Sequence, residues 1–478
     1  MRYVLIGAGP TGLSAAARLS SLGEDWHLYE AQQQAGGLSA SFSKDGYIWD
    51  LGGHVLFSHY NYFDVAMEAV MGRDMWLVHR RKAYVQLLNR WIPYPLQNNI
   101  HYLPEKEMEE CINGLKAISG SDGARPGNFE EWINANSGAG LARLFMMPYN
   151  RKVWAAEPAS MSASWLGERV SKPDLARILS CMNSRKDDDN WGPNNIFRFP
   201  LNGGTGAIWN AVSSQLDQSR VSYGCKVMKV DPDKKMVYFE NGRVAAYDKL
   251  ISTMPLDMLM GLSGFVDLQA EVEKLVYTSA HIIGVGLKGQ MPEECKSKTW
   301  TYFPEEMFSF YRVTMFSNYS PNNAPCGSYS LMAEVAVRAN TKQSEVDVTS
   351  RAIDGLAKAG MMSQDSEVES VWSKWIRHSY PVPTTGRDDV LRLILPALES
   401  KDIYSRGRFG AWKYEVGNMD HSFAQGREIA DRLVLGIPEI TINFPDAVNS
   451  SGAGNRDLSE PLSASLQNGS AQLQKNVA

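Results

Sequence analysis

Tyr3-Val4-Leu5-Ile6-Gly7-Ala8-Gly9-Pro10-Thr11-Gly12 is a short β-rich apolar run that breaks into three spaced glycines. A run of that length and composition predicts a buried parallel strand. Leu13 to Leu22 is Ala-rich, reads as a helix, and stops at Gly23. Trp26-His27-Leu28-Tyr29 predicts a second strand that closes on Glu30. Strand, Gly-x-Gly-x-x-Gly, helix, strand, acid is the pattern of a dinucleotide site. Gly7 permits the tight turn, Gly9 lets backbone approach a pyrophosphate, and Gly12 lets helix and strand pack closely. The N-terminus of this helix turns amide N–H groups and partial positive charge towards the phosphates. Glu30, 18 residues after Gly12, is placed to accept hydrogen bonds from a ribose.

Two further glycine pairs follow, in Ala35-Gly36-Gly37-Leu38 and Asp50-Leu51-Gly52-Gly53-His54. A simple NAD domain would usually run on into another strand–helix unit. Repeated glycine passes instead favour a longer cofactor, FAD. Residues 104–190 read as mostly helical, with helices beginning at Glu105 and Phe129 and a third over Ser160 to Val170. Ser119 to Gly127 and Lys186 to Asn190 read as polar loops. Asn202-Gly203-Gly204-Thr205-Gly206 precedes a helix from Ala207 to Leu216. Short strands follow, with Asn241-Gly242 as a hairpin turn, and Leu250 to Thr253 returns to the central sheet. From about 278 to 395 strands dominate, interrupted by one helix, Val346 to Ala359. A last unit, Ile403 to Gly436, carries a helix from about Ser422.

These elements predict an α/β fold: a discontinuous Rossmann-like FAD-binding domain with an inserted helical domain and an inserted antiparallel β-sheet domain. The boundaries expected are 1–78, 200–260 and 400–448 for the FAD domain, 104–195 for the helical domain, and 79–103 with 265–398 for the sheet domain. The stretch 450–478, rich in Ser, Asn, Gln and Gly, is expected to be a disordered tail. A substrate site belongs at the junction, over the flavin.

Composition narrows the function classes. The 478 residues hold 48 Lys+Arg against 53 Asp+Glu, a net −5, without the basic excess of a nucleic-acid binder. No run of 18 apolar residues predicts a membrane span. Cysteines 111, 181, 225, 295 and 326 are odd in number and lack zinc or thioredoxin spacing. Neither a disulfide framework nor a metal site is expected, and a reducing compartment fits. Met1-Arg2-Tyr3 leads straight into a strand and does not read as a signal peptide. The expected location is the cytoplasm, where the sequons at Asn318, Asn449 and Asn468 are accidental. A homo-oligomer is left open.

His54-Val55-Leu56-Phe57-Ser58-His59-Tyr60 brings a known family into view. With it come Trp91 to Asn99, Met147 to Ala155, Ser164 to Val170, Asn190 to Asn194, Phe310 to Pro321 and Gly407 to Phe423. On these blocks the chain resembles the UDP-galactopyranose mutases of the eukaryotic type, from Tyr3 to about Val448. The resemblance implies interconversion of UDP-galactopyranose and UDP-galactofuranose without net redox. In such enzymes reduced flavin attacks the anomeric carbon through N5 and expels UDP, and the sugar recloses through another hydroxyl. NADPH or NADH is the implied reductant.

Residue by residue, the resemblance implies that Arg169 and Arg312 bind the diphosphate and are catalytic with His54, which lies beside the flavin ring. A planar guanidinium fork suits phosphate oxygens, and an imidazole there could exchange protons near neutral pH. Tyr302, Tyr319, Tyr380 and Tyr414 match phosphate-contacting phenols. Tyr94 and Gln97 match the uridine pocket, where Leu96 stands in place of an aromatic residue found in some relatives. Phe57, Asn150, Trp154 and Asn194 match other substrate contacts. His59 is left open. Cofactor contacts are expected from Gly7, Gly9, Thr11, Gly12, Glu30, Gly37, Leu38 and Gly53, and from Arg408, Gly417, Asn418, Asp420 and Ser422. Asp420 reads either as a holder of ribityl hydroxyls or as the N-cap of the last helix. The competing functions are a mutase of another nucleotide sugar such as UDP-arabinopyranose, an amine-oxidase-like flavin oxidase, and a flavin-binding protein without catalysis.

Overall fold

The computed structural model describes residues 1–119, 126–167, 169–189, 191–192 and 194–450. The expected tail beyond Ser450, the middle of the Ser119–Gly127 loop, and Glu168, Asn190 and Pro193 lie outside the described residues.

Along the chain, β1 (Arg2–Ile6), α1 (Pro10–Ser21) and β2 (Asp25–Tyr29) come first. The hairpin β3 (Ser41–Lys44) and β4 (Tyr47–Asp50) follows, then α2 (Asn61–Met71), β5 (Trp76–Arg80), β6 (Ala83–Leu87) and β7 (Arg90–Pro93). A helical layer holds α3 (Glu105–Ile118), α4 (Phe129–Leu141), α5 (Met147–Trp154) and α6 (Leu175–Ser184). β8 (Ile196–Pro200), α7 (Gly206–Ser214) and β9 (Val221–Ser222) lead to the meander β10 (Val227–Asp231), β11 (Met236–Phe239) and β12 (Val244–Ala246), and to β13 (Lys249–Ser252). After α8 (Leu256–Leu262) and α9 (Gln269–Val272) comes the long β14 (Tyr277–Lys288). Then follow α10 (Glu293–Lys296), β15 (Trp300–Tyr302), β16 (Arg312–Met315), β17 (Ser328–Arg338), α11 (Glu345–Lys358) and β18 (Glu367–Pro381). α12 (Arg387–Glu399), β19 (Ile403–Ser405), α13 (Met419–Leu435) and α14 (Pro445–Asn449) are the last elements described.

The first sheet is parallel, in the order β19-β13-β1-β2-β9. Its middle strand shows why it is covered on both sides. Side chains alternate across a strand, so Tyr3 and Leu5 enter one apolar core with α1 and α13, while Val4 and Ile6 enter another with α8 and α12. Gly7 takes φ +101°, and a Cβ on Gly12 would run into the Gly7 carbonyl oxygen. The glycine spacing is therefore demanded by backbone approach. Gly426 of α13 likewise lies against the Thr11 carbonyl of α1.

The second sheet runs β18-β14-β17-β16-β15-β6-β7. It is antiparallel except where β15 meets β6 in parallel, with Trp300 opposite Ala83. The expected antiparallel sheet is thus present, with this one parallel pairing within it. β6 reaches the sheet from a remote part of the chain, so no hairpin fixes its direction. β14 is buried along all but its last residue. Its Gly284 and Gly286 lie under the rings of Trp49 and Tyr47 from β4, which locks the first glycine-rich region onto this sheet.

Three helix expectations are corrected. Ser160 to Val170 forms no α-helix among its described residues. Ser162 Oγ accepts from the Ser164 amide, and the Ser162 amide donates to Pro383 O, so local side-chain bonds and a neighbouring loop take the backbone. The helix lies further on, as α6, where Asp174 caps it by accepting from Arg177 N at 3.1 Å. Within 278–395 there are three helices, α10 and α12 joining α11. α12 buries Val390, Leu391, Ile394 and Leu398 at helical spacing, with Pro396 inside it. The last long helix starts at Met419, three residues before Ser422.

Candidate active site

The expected cofactor residues form a backbone-lined cradle. The Glu30 carboxylate accepts from Ala8 N at 2.7 Å and from Gln32 N at 2.8 Å. Burial pushes its pKa up against these bonds. Gly36 N donates to Ala8 O at 2.9 Å, so the second glycine pair is strapped to the first turn. A Cβ on Gly37 would lie 3.4 Å from the Gly9 Cα, so two glycine segments run side by side. Leu38, partly buried, packs on two apolar cores beside them. α1 starts here with Gly9 at its N-cap, and no side chain caps it. A buried acid, a glycine-only groove and an uncapped helix start fit a dinucleotide with its diphosphate.

At the start of α13 the N-cap is Asn418, not Asp420. Asp420 sits in the first turn, buried, and accepts from His59 N at 3.0 Å and from His59 Nδ1 at 2.7 Å. Its other oxygen lies 3.3 Å from His421 Nδ1. Burial opposes ionisation of Asp420, but His421 and His59 outweigh it and hold the carboxyl well below the usual range. Ser422 follows, its amide donating to Asn418 O at 2.8 Å. Arg408 Nη1 donates to Gly417 O at 3.0 Å, joining two more of the expected cofactor residues.

His54 follows Gly53 beside a buried carboxylate, Glu334. Glu334 accepts from Arg312 Nε at 2.6 Å and Nη2 at 2.8 Å, from Tyr311 Oη at 2.6 Å and from Gly53 N at 3.1 Å. Burial pulls the His54 pKa down to about 4, Arg408 and Arg312 add to this, and Glu334 only partly opposes it. This depression disfavours the charged imidazole and so works against the expected proton exchange near neutral pH. Glu334 is a residue that sequence reasoning missed. Its signal was there, as one acid inside Leu331-Met332-Ala333-Glu334-Val335-Ala336-Val337.

Phenols link the arginines. Tyr311 Oη is 3.3 Å from Tyr380 Oη. The Arg408 guanidinium lies over the Tyr380 ring at 5.0 Å and the Tyr414 ring at 5.5 Å, and Arg169 lies 5.5 Å from the same Tyr414 ring. Arg169 Nη2 donates to the Glu415 carbonyl and, at 3.1 Å, to Asn449 Oδ1. Tyr302 packs on Tyr94 at 5.2 Å, and Arg81, over Tyr94 at 5.3 Å, donates to Asn194 Oδ1 at 2.7 Å. Burial raises the pKa values of Tyr94, Tyr302, Tyr319 and Tyr380, so these phenols keep their protons.

Other expected contacts are held more deeply. Trp154 is 3% exposed, packed edge-on against Tyr414 at 4.8 Å and Trp165 at 5.1 Å. Tyr319 is fully buried among Phe197, Phe199 and Phe316. Both are packed among other rings, where a large aromatic side chain contributes most. Gln97 donates to Ser171 O at 3.0 Å, with Leu96 buried beside it. Asn150 donates to Met146 O at 2.7 Å, and Phe57 lies edge-on to His59 at 5.7 Å.

The sequence profile of the flavin-containing amine oxidoreductases matches residues 10–434, and the chain belongs to that family. It is a flavin enzyme by fold and by cradle. A crystal structure of reduced UDP-galactopyranose mutase superposes with a TM-score of 0.91 at 44% identity, covering 94% of this chain and 99% of that one. Within the flavin amine oxidoreductases, the chain belongs with the UDP-galactopyranose mutases. A CLA-producing fatty acid isomerase from P. acnes shares the fold at a TM-score of 0.62 and 14% identity, over 91% of this chain and 98% of that one. The 4,4'-diapophytoene desaturase of Staphylococcus haemolyticus (strain JCSC1435) is 44% identical over 52 residues. That match spans 11% of this chain and only 10% of the desaturase. No helix among the described residues is long and apolar enough to cross a membrane.

Proposed function

We propose that the protein interconverts UDP-galactopyranose and UDP-galactofuranose on reduced FAD, with no net redox change. One observation carries the reading. Arg169, Arg408 and Arg312 are joined by a run of phenols, Tyr414, Tyr380 and Tyr311. Such a concentration of guanidinium charge suits a departing diphosphate. It would repel the ammonium substrate of an amine oxidase.

Bound in the glycine cradle in its reduced form, FAD would supply N5 as the nucleophile towards the anomeric carbon. The chain does the rest. Gly7, Gly9, Thr11 and Gly12 admit the cofactor's phosphates, and Glu30 keeps lone pairs for its ribose. Gly37, Leu38, Gly53, Arg408, Gly417, Asn418, Asp420 and Ser422 line the remainder. Arg169 and Arg312 stabilise charge on the leaving diphosphate. Tyr302, Tyr380 and Tyr414 donate to it, with Tyr319 and Trp154 as rigid backing. Tyr94 and Gln97 frame the base, while Phe57, Asn150 and Asn194 bound the sugar and its approach. His54, its charged form disfavoured, offers a hydrogen bond rather than a charge. The reading keeps the three-part division of the chain, NADPH or NADH as reductant, and a cytoplasmic site of action.

The test is a panel of UDP-sugars offered to dithionite-reduced holoenzyme and followed by chromatography. UDP-galactofuranose should yield UDP-galactopyranose, and oxidised enzyme should yield nothing. Conversion of UDP-arabinopyranose alone would replace the substrate. Oxygen uptake with an amine and no sugar conversion would overturn the reading.

A further inference from the structure

Asn449 ends α14, and its side chain reaches back to Arg169. Its Oδ1 accepts from Arg169 Nη2 at 3.1 Å, and its Nδ2 donates to the Glu415 and Pro445 carbonyls, each at 2.8 Å. The Glu415 carbonyl also accepts from Arg169 Nη2. One amide oxygen and one peptide oxygen thus hold the same guanidinium nitrogen. The Glu415 carboxylate takes no part in this, because it is committed to Arg387, at 2.7 and 2.8 Å. Among the described residues no carboxylate forms an ion pair with Arg169, and its Nε is buried without a protein partner. A part-buried cation whose protein partners are neutral dipoles keeps a demand for an anion.

We propose that Asn449 is a positioning residue for Arg169. It anchors Nη2 with a neutral amide, so that the cation's charge stays uncancelled and its Nε edge is left for the substrate's diphosphate. The identity of that anion rests on the mutase reading. The choice of amide over acid is the substance of the idea. An aspartate at 449 would have the same shape and would pair with the guanidinium, competing with the diphosphate. The amide nitrogen of Asn449 is spent on two carbonyls.

The test titrates FAD-loaded holoenzyme with UDP, with inorganic pyrophosphate and with uridine, by calorimetry, for wild type, Asn449→Asp and Asn449→Ala. Asn449→Asp should weaken UDP and pyrophosphate by more than tenfold, and Asn449→Ala by about threefold. Uridine affinity and FAD content should not change in either variant. A purely structural role would move uridine and FAD content together with UDP. Wild-type UDP affinity in a folded Asn449→Asp overturns the proposal and leaves the mutase reading standing. Should Asn449→Asp not fold, Asn449→Ala decides: wild-type UDP affinity there overturns it equally. If wild-type holoenzyme binds neither UDP nor pyrophosphate, the mutase reading itself has failed, and this proposal falls with it.

Discussion

Arg312 and Arg169 are the same side chain in two opposite settings. Arg312 stands on β16 directly across from Glu334 on β17, and the two meet fork to fork. Gly53 and Tyr311 complete the carboxylate's shell. Arg169 lies in a loop and is held by a peptide oxygen and an amide. The first charge is already answered within the protein, and the second is not. A carboxylate partner provides rigidity at the cost of a weaker pull on ligand phosphate, while neutral partners do the reverse. On the proposed mutase function, two such arginines divide the work of framing a diphosphate and attracting it.

The contrast can be broken most forcefully at Glu334. Glu334→Ala strands a buried guanidinium, and chemical denaturation should show a loss of about 3–5 kcal/mol. Arg169→Ala removes a cation with no carboxylate partner among the described residues. It should cost about 1 kcal/mol of stability, yet cut turnover of UDP-galactofuranose on the order of 10²-fold by steady-state assay. Equal stability losses in the two variants would erase the distinction. Gly53→Ala tests how tightly the turn lies on the pair. Its Cβ would meet Thr314 Oγ1 at 2.5 Å and Arg312 Cζ at 3.5 Å, and the melting curve should register about 1–3 kcal/mol.

The smallest effect sharpens the comparison through pH. Burial disfavours the charged form of Glu334, but Arg312, Tyr311 and Gly53 more than offset it, and its folded pKa falls below the ordinary 4.5. A depressed carboxylate contributes stability above pH 4.5 and loses it as pH falls through the lower folded value. Wild type should therefore weaken below pH 4.5 more steeply than Glu334→Gln, in unfolding curves taken at stepped pH. Identical slopes would show that the carboxylate is not bound as tightly as its geometry says.

What could be read from sequence tracks how local the cause is. The turn at Gly7 and Gly9, the acid at Glu30 and the apolar run of β1 are marked by residue type and spacing within the first thirty residues, and the linear pattern shows them. The site arginines came through the resemblance, but their partners did not. Glu334 needs the β16–β17 register to meet Arg312, and Asn449 lies 280 residues from Arg169. The misplaced helix at Ser160 to Val170 failed for a related reason. Its backbone is claimed by Pro383, beyond the reach of any window. The depressed pKa of His54 is likewise a property of burial, which no isolated motif displays.

The parallel sheet gathers strands from residues 2–29, 221–222, 249–252 and 403–405, and α13 then closes on α1. During synthesis the glycine turn meets β2 at once, but β13, β19 and α13 begin only at residues 249, 403 and 419. Flavin loading is therefore expected only after α13 has been made. A nascent chain released near residue 400 is expected to be colourless, however well its first strands have formed.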